Sequence, residues 1–260
     1  MEQPQPPLTE ENPNLTGMSL GARLMNIYAA PSEVFDGVKS APVMVTNWLV
    51  PLFTAMAVGI VFVMVVFSQP KIIQGMKDAQ DKKFQEMVAS GKKTQQQVDQ
   101  ISAITEKWMS PSVIKVFGIL GTIFFSTAML FFMALVLWLV GNHALHGSFN
   151  YMKAVEVTGL TMMISALGGL VTMLLSVIYG TMGLTAGPVL LVAHFDPSNK
   201  VHAILAALDV MSLWYLGVLS IGLAKLSGSK FFKAAIWIFV LWYGTWAIFR
   251  LGPLWLFGGK

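Results

Sequence analysis

Asp209, Arg250, Lys115 and His202 are the side chains through which this chain could do chemistry inside an apolar environment. Asp209 interrupts the run HAILAALDVMSLWYLGVLSIGLAK, from His202 to Lys225. An ionised carboxylate buried in hydrocarbon costs roughly 2.5 to 3.5 kcal/mol even on insertion-based scales, so it must be paired, hydrated or protonated. Asp209 lies about two turns inside the run. In an antiparallel helix pair it is therefore level with Arg250, near the end of the next apolar run, while Lys115 and His202 begin runs on the same side. The spacing predicts a buried Asp209 to Arg250 pair, with Lys115 or His202 as alternative partners. Such a charge marks either an assembly contact or an ion or proton path. A path needs a second membrane-embedded acid, and Glu156 stands at the start of another run on the opposite surface, where it reaches headgroups and water.

Other chemistries lack their parts. Cysteine is absent, which removes disulfides, thiolate metal sites and thiol nucleophiles together. His143 and His146 are three apart and could share a metal on a helix. The remaining histidines, His194 and His202, fall on the other side of the membrane, so no metal site and no cofactor is expected. No nucleophile with an adjacent base and no glycine-rich phosphate cradle is present, and the chain reads as non-enzymatic. The formal charge of +4 sits in loops beside apolar runs rather than on an aromatic-studded face, which points to anionic lipid headgroups and not to nucleic acid.

The elements that must position these residues are membrane helices. Of 260 residues, 55% are hydrophobic and 12% charged, and the mean hydropathy is +0.65; a soluble domain carries about 25% charge. Runs of ~20 apolar residues span the ~30 Å hydrocarbon core as helices. Five are readable, at residues 43–68, 113–140, 157–183, 203–225 and 231–252, giving an all-α, polytopic transmembrane helical bundle. The membrane domain covers residues 19–255.

Residues 1–18 form a tail whose first sixteen residues hold four prolines and three glutamates, a composition that reads as disordered and is not that of a cleavable signal. From Ser19 to Ser40 apolar residues recur at helical spacing, predicting an amphipathic interfacial helix before the first span, with Pro31 opening a second helical stretch. Residues 70–110 carry seven lysines and five acids and predict an extramembrane helical hairpin. Its first helix stops near Gly91 and its second opens on a Thr94–Gln97 capping box. Gly118 with Gly121, Ser165 with Gly169, and Ser176 with Gly180 give small faces for close helix packing.

Leu208-Asp209-Val210-Met211-Ser212-Leu213-Trp214, followed by Gly222-Leu223-Ala224 and a lysine-bearing turn, resembles the closing helices of the Yip1-domain family of small polytopic membrane proteins. Arg23-Leu24 with Pro31-Ser32-Glu33-Val34-Phe35 resembles the family's segment before its first span, and Ser148-Phe149-Asn150-Tyr151-Met152-Lys153-Ala154 its lead into the third. The resemblance implies five membrane helices, no enzymatic activity, and a role as a scaffold or adaptor in membrane organisation; a small-solute or ion transporter using Asp209 is the alternative. Eukaryotic relatives work with Rab GTPases in Golgi and endoplasmic reticulum membranes. The Asp-Leu-Tyr-Gly-Pro and Gly-Tyr-Ser motifs of that branch are missing, and the short tail and inserted hairpin look more like prokaryotic members. The resemblance thus implies a bacterial cytoplasmic membrane, with Golgi or endoplasmic reticulum as the alternative, and a membrane-protein partner or a homo-oligomer.

The family implies a cytoplasmic N-terminus. The positive-inside rule opposes it, because Arg23, Lys39, Lys153, Lys225, Lys230 and Lys233 share one side while the other eleven of 17 basic residues lie opposite. The lysine-dense loop between the last two spans favours N-in.

Overall fold

The computed structural model describes residues 17–193, 195 and 199–257, without the side chains of residues 200 and 249–257. The tail expectation, apart from residues 17 and 18, lies outside these residues. Ten α-helices follow one another among the described residues: α1 Leu20–Ala29, α2 Pro31–Ser40, α3 Thr46–Val66, α4 Pro70–Ala89, α5 Gln95–Trp108, α6 Pro111–Leu139, α7 Tyr151–Tyr179, α8 Lys200–Ala207, α9 Val210–Ser227 and α10 Phe231–Phe257. Among the described residues no strand occurs, and five helices are long and apolar enough to cross a membrane: α3, α6 with its π-helical extension to Ala144, α7, α9 and α10. The chain is an integral membrane protein whose helices contact the lipid bilayer.

Helix α7 is the centre of the bundle, packing against α3, α6 and α9, while α10 packs on α9. Small residues set these approaches. A Cβ at Gly159 would overlap the backbone of Trp48, and one at Gly169 would come 3.2 Å from Val58, so α3 and α7 run parallel and in step. A Cβ at Gly222 would overlap Val157, and one at Gly168 would come 3.1 Å from Met211. Eleven residues forward in α7 therefore correspond to eleven back in α9. This register makes Asp209 level with Leu170 of α7 and Gly59 of α3. Gly59 is seven residues, about 10 Å, short of the far end of α3.

Two elements differ from the sequence expectation. The run from residue 203 to 225 is not one helix. It breaks at Leu208 and Asp209, whose backbones leave the helical region, and α9 begins only at Val210. The N-terminal amphipathic stretch is two helices, the second opening on Pro31 as the sequence predicts, but it does not lie apart from the bundle. Their buried faces, Ile27, Val34, Phe35 and Val38, join the core of the bundle.

The path of that pair follows from its contacts. Arg23 on α1 meets Asn47 at the start of α3. Tyr28, near the α1–α2 turn, donates to the carbonyl of Met163 at 2.9 Å and packs edge-on against Trp214. The chain then returns, because Asp36 pairs with Lys225 at the end of α9, and the carbonyls of Val38 and Ala41 accept from Lys153 in the first turn of α7. Met163 is ten residues beyond Lys153, so α1 and α2 form a helical hairpin that reaches about 15 Å along α7 and comes back to the side it started from.

Between α3 and α6, helices α4 and α5 are joined by a turn in which Gly91 has φ 67°. The Thr94 hydroxyl accepts from Gln97 N and the Gln97 side chain accepts from Thr94 N, completing the capping box.

Candidate functional site

Two polar constellations lie inside the bundle, one toward each end. The first is built around Glu156, in the second turn of α7. It is fully buried, which corrects the expectation that it reaches water. A carboxyl without water must gather its partners from the protein. Oε1 accepts from Asn47 Nδ2 at 2.7 Å and from Met44 N at 2.9 Å. Oε2 makes no aligned hydrogen bond and is held by charge, with Lys153 Nζ 2.8 Å away. Asn47 passes the connection on, since its Oδ1 accepts from Arg23 Nη1 at 3.0 Å. Arg23 is itself buried and also donates to the sulfur of Met44. One guanidinium, one amide, one carboxyl and one ammonium thus tie α1, α3, α7 and the carbonyls ending α2 into a single knot. Burial raises the phenol of Tyr28 above its ordinary value, keeping its hydroxyl a donor to Met163.

The second constellation is the broken span. Asp209 caps α9. Its Oδ2 accepts from Ser212 N at 2.9 Å and from Ser212 Oγ at 2.7 Å, and among the described residues its Oδ1 accepts only from Met211 N at 3.4 Å. This explains why the helix breaks here. An aspartate offers the first amides of a helix a better acceptor than a continuing turn does, and its charge suits the positive end of the dipole. The loop after α7 holds the break in place. Val210 N donates to Ala186 O at 2.9 Å, Thr185 Oγ1 donates to Ala206 O at 2.9 Å, and Gly187 lies so close to Leu208 that a Cβ would meet its carbonyl oxygen.

Asp209 lies on the wall of a cavity of about 480 Å³. Helix α7 is its back, α3 and α6 form one side, and α9 with α10 form the other. Asp209, Ser212 and Thr172 lie toward one end, and Met133, Met162 and Thr158 toward the other. The Thr158 hydroxyl is buried and has no hydrogen-bond partner.

The other predicted site residues fall as follows. Lys115 Nζ donates to Ser68 Oγ at 2.7 Å. His202 stacks on Phe195, ring centroids 6.1 Å apart. The Arg250 side chain lies outside the described residues. A Cβ at Gly118 would come 2.9 Å from Val63, whereas one at Gly121 meets only Phe125 of its own helix at 3.9 Å. Ser165 lines the cavity, and Ser176 is buried and donates to Thr172 O at 2.8 Å. At Gly180 a Cβ would overlap the side chain of Lys71 in α4. The residue ends α7 in the left-handed region at φ 66°, where glycine is unstrained. His143 Nδ1 lies 3.1 Å from the carbonyl oxygen of Leu139, which accepts from the ring N–H in the Nδ1-protonated tautomer, and among the described residues no group of three or more His, Asp or Glu could hold a metal.

Arg23, Asn47 and Lys153 were not among the residues singled out as a site. The signals available were the acid and base three apart at a helix start, Lys153 and Glu156, and the place of Arg23 and Lys153 in the family-like motifs. Asn47 gave none, because its partners are 24 and 109 positions away.

No curated protein and no solved structure matches this chain. The Yip1 domain family matches residues 25–252. That stretch includes Asn47, Lys153 and Glu156 of the buried knot, the broken span and the five candidate membrane helices among the described residues, and by it the chain belongs to the Yip1 domain family.

Proposed function

We propose that this protein is a non-enzymatic membrane scaffold or adaptor, a rigid five-span platform whose α1–α2 hairpin and neighbouring loops are offered to a membrane-protein partner. The observation that carries the reading is the closed knot around Glu156. Its charges face one another and backbone carbonyls, and they bind the N-terminal hairpin to the bundle. Fourteen residues of α7, about 21 Å, separate Glu156 from the level of Asp209. The side chains of α7 between them include hydroxyls but no titratable group. A proton relay lacks its intermediate stations, while the same groups serve a fixed architecture well.

Transport is the second reading, favoured by the broken span and the cavity beside Asp209, since transporters bind cargo where membrane helices are interrupted. Reconstitution separates the two. Proteoliposomes with a pH dye or a potassium-sensitive dye inside are expected to leak no faster than empty ones, while a photo-crosslinker at Ser32 or Lys39 in native membranes gives a discrete adduct of higher mass. Flux that disappears in Asp209→Asn, with no adduct formed, overturns the scaffold in favour of transport.

A further inference from the structure

The cavity beside Asp209 has features that neither helix packing nor capping requires. Its walls, α3 and α6 on one side and α9 and α10 on the other, are each held to α7 or to one another, yet among the described residues α6 and α10 make no extended contact. The cavity therefore opens sideways between them. On that rim Phe125 is 64% exposed and Met129 44% exposed, so the mouth faces the hydrocarbon of the bilayer and not an aqueous vestibule.

The interior is long and chemically graded. From Thr172 to Thr158 it follows α7 for fourteen residues, about 21 Å, more than the ~15 Å depth of one leaflet's hydrocarbon. The volume falls in the range of small-molecule sites, ~300 to 1,000 Å³. Most of the lining is aliphatic, aromatic or methionine. Asp209, the one charged residue among the described lining, sits toward one end with Ser212. The carboxylate is unequally used by the described residues: Oδ2 takes two short hydrogen bonds, whereas Oδ1 takes a single 3.4 Å bond. Oδ1 thus keeps acceptor capacity for a charge-assisted bond to an ammonium donor.

A ligand that matches both ends needs a hydrocarbon chain and a cationic donor. We infer that the cavity binds an amphiphile bearing a primary ammonium group, its amine on Asp209 and its chain along α7 past Trp242, entering from the bilayer between α6 and α10. A fatty alcohol lacks the charge, and a quaternary ammonium lacks the N–H donors. Both fit the groove without satisfying Oδ1. This binding is independent of the scaffold reading.

Trp242 lines the groove and packs against Tyr215, about a turn and a half below Asp209, so it reports on an occupying chain. The test uses the full-length protein in phosphatidylcholine nanodiscs and undecylamine brominated at its far end, with the matching brominated alcohol and trimethylammonium as controls. The Trp242 signal is the difference between the unaltered protein and Trp242→Phe. Binding predicts quenching by the amine that saturates at least ten-fold below the concentration at which either control quenches. Asp209→Asn, which keeps a capping side chain, is expected to abolish that preference and leave the controls unchanged. Ser165→Phe, which fills the groove without touching Asp209, is expected to remove quenching by all three. Equal quenching by amine and alcohol, or an amine preference that survives Asp209→Asn, overturns the proposal. So does the absence of quenching by any of them, the result if a second copy of the chain seals the groove.

Discussion

The hydroxyl of Tyr28 donates to the carbonyl of Met163 at 2.9 Å, ten residues beyond the level at which Lys153 holds the end of α2. An element that a helical wheel places flat on the membrane surface therefore enters the bundle and returns. Accessibility tests this directly, because the chain has no cysteine of its own. A single cysteine at Ala30 is expected to resist a membrane-impermeant thiol reagent from either side, while cysteines at Gly17 and Ser40 label from one and the same side. Labelling at Ala30 equal to that at Ser40 would return the segment to the interface.

Glu156→Leu removes the carboxyl around which α1, α3 and α7 are joined and leaves Lys153 and Asn47 short of a partner. Breaking a buried ion pair from one side costs about 3 to 5 kcal/mol, and denaturation in detergent micelles should register a loss of that order. The double variant Glu156→Leu with Lys153→Met is expected to recover part of it, since the Lys153 ammonium is then no longer left without its carboxylate, while the Arg23 guanidinium stays on Asn47 and Met44. A double variant less stable than the single one would show that Lys153 is held by the Val38 and Ala41 carbonyls alone.

Alanine scanning of glycines should separate contact from composition. Gly159→Ala drives a methyl into the Trp48 backbone, which no rotamer change can relieve. Overpacking of this kind costs about 1 to 3 kcal/mol. Gly121→Ala meets only Phe125 at 3.9 Å and should be neutral or slightly stabilising, as alanine is the better helix former. Thermal unfolding of the two variants, side by side, checks both expectations.

Asp209 is asked to do one of two things, and three substitutions tell them apart. If it serves α9 as a cap, Asp209→Asn is nearly silent, whereas Asp209→Ala costs about 0.5 to 2 kcal/mol. If it also pairs with Arg250, Asp209→Asn is destabilising and adding Arg250→Gln restores stability. Detergent-micelle melting temperatures of the single and double variants decide the matter.

Orientation is read from cysteines at Ser90, Ser148 and Ser229. With the N-terminus in the cytoplasm, only Ser90 labels from outside intact cells. Labelling of Ser148 and Ser229 with Ser90 protected would instead put the α4–α5 pair in the cytoplasm and uphold the positive-inside count.

Much of this architecture is local and so could be read from the chain. Five membrane helices follow from composition and length, because a run of apolar residues can satisfy its backbone in hydrocarbon only as a helix. Pro31 at a helix start and the Thr94–Gln97 box act within one turn, and residue type alone reveals them. Glu156 and Asp209 behaved differently. Read locally, Glu156 is an acid near the end of an apolar run and belongs in water; its burial was decided by Asn47, Met44 and Lys153, two of them more than a hundred residues away. Asp209 was legible as a charge in need of partners, but whether those would be a cation or the first amides of its own helix depended on the loop at Ala186 and Gly187 holding the break open. A sequence records which groups must be satisfied. Which atoms satisfy them is settled by which helices pack together and in what register, and only the tertiary structure holds that information.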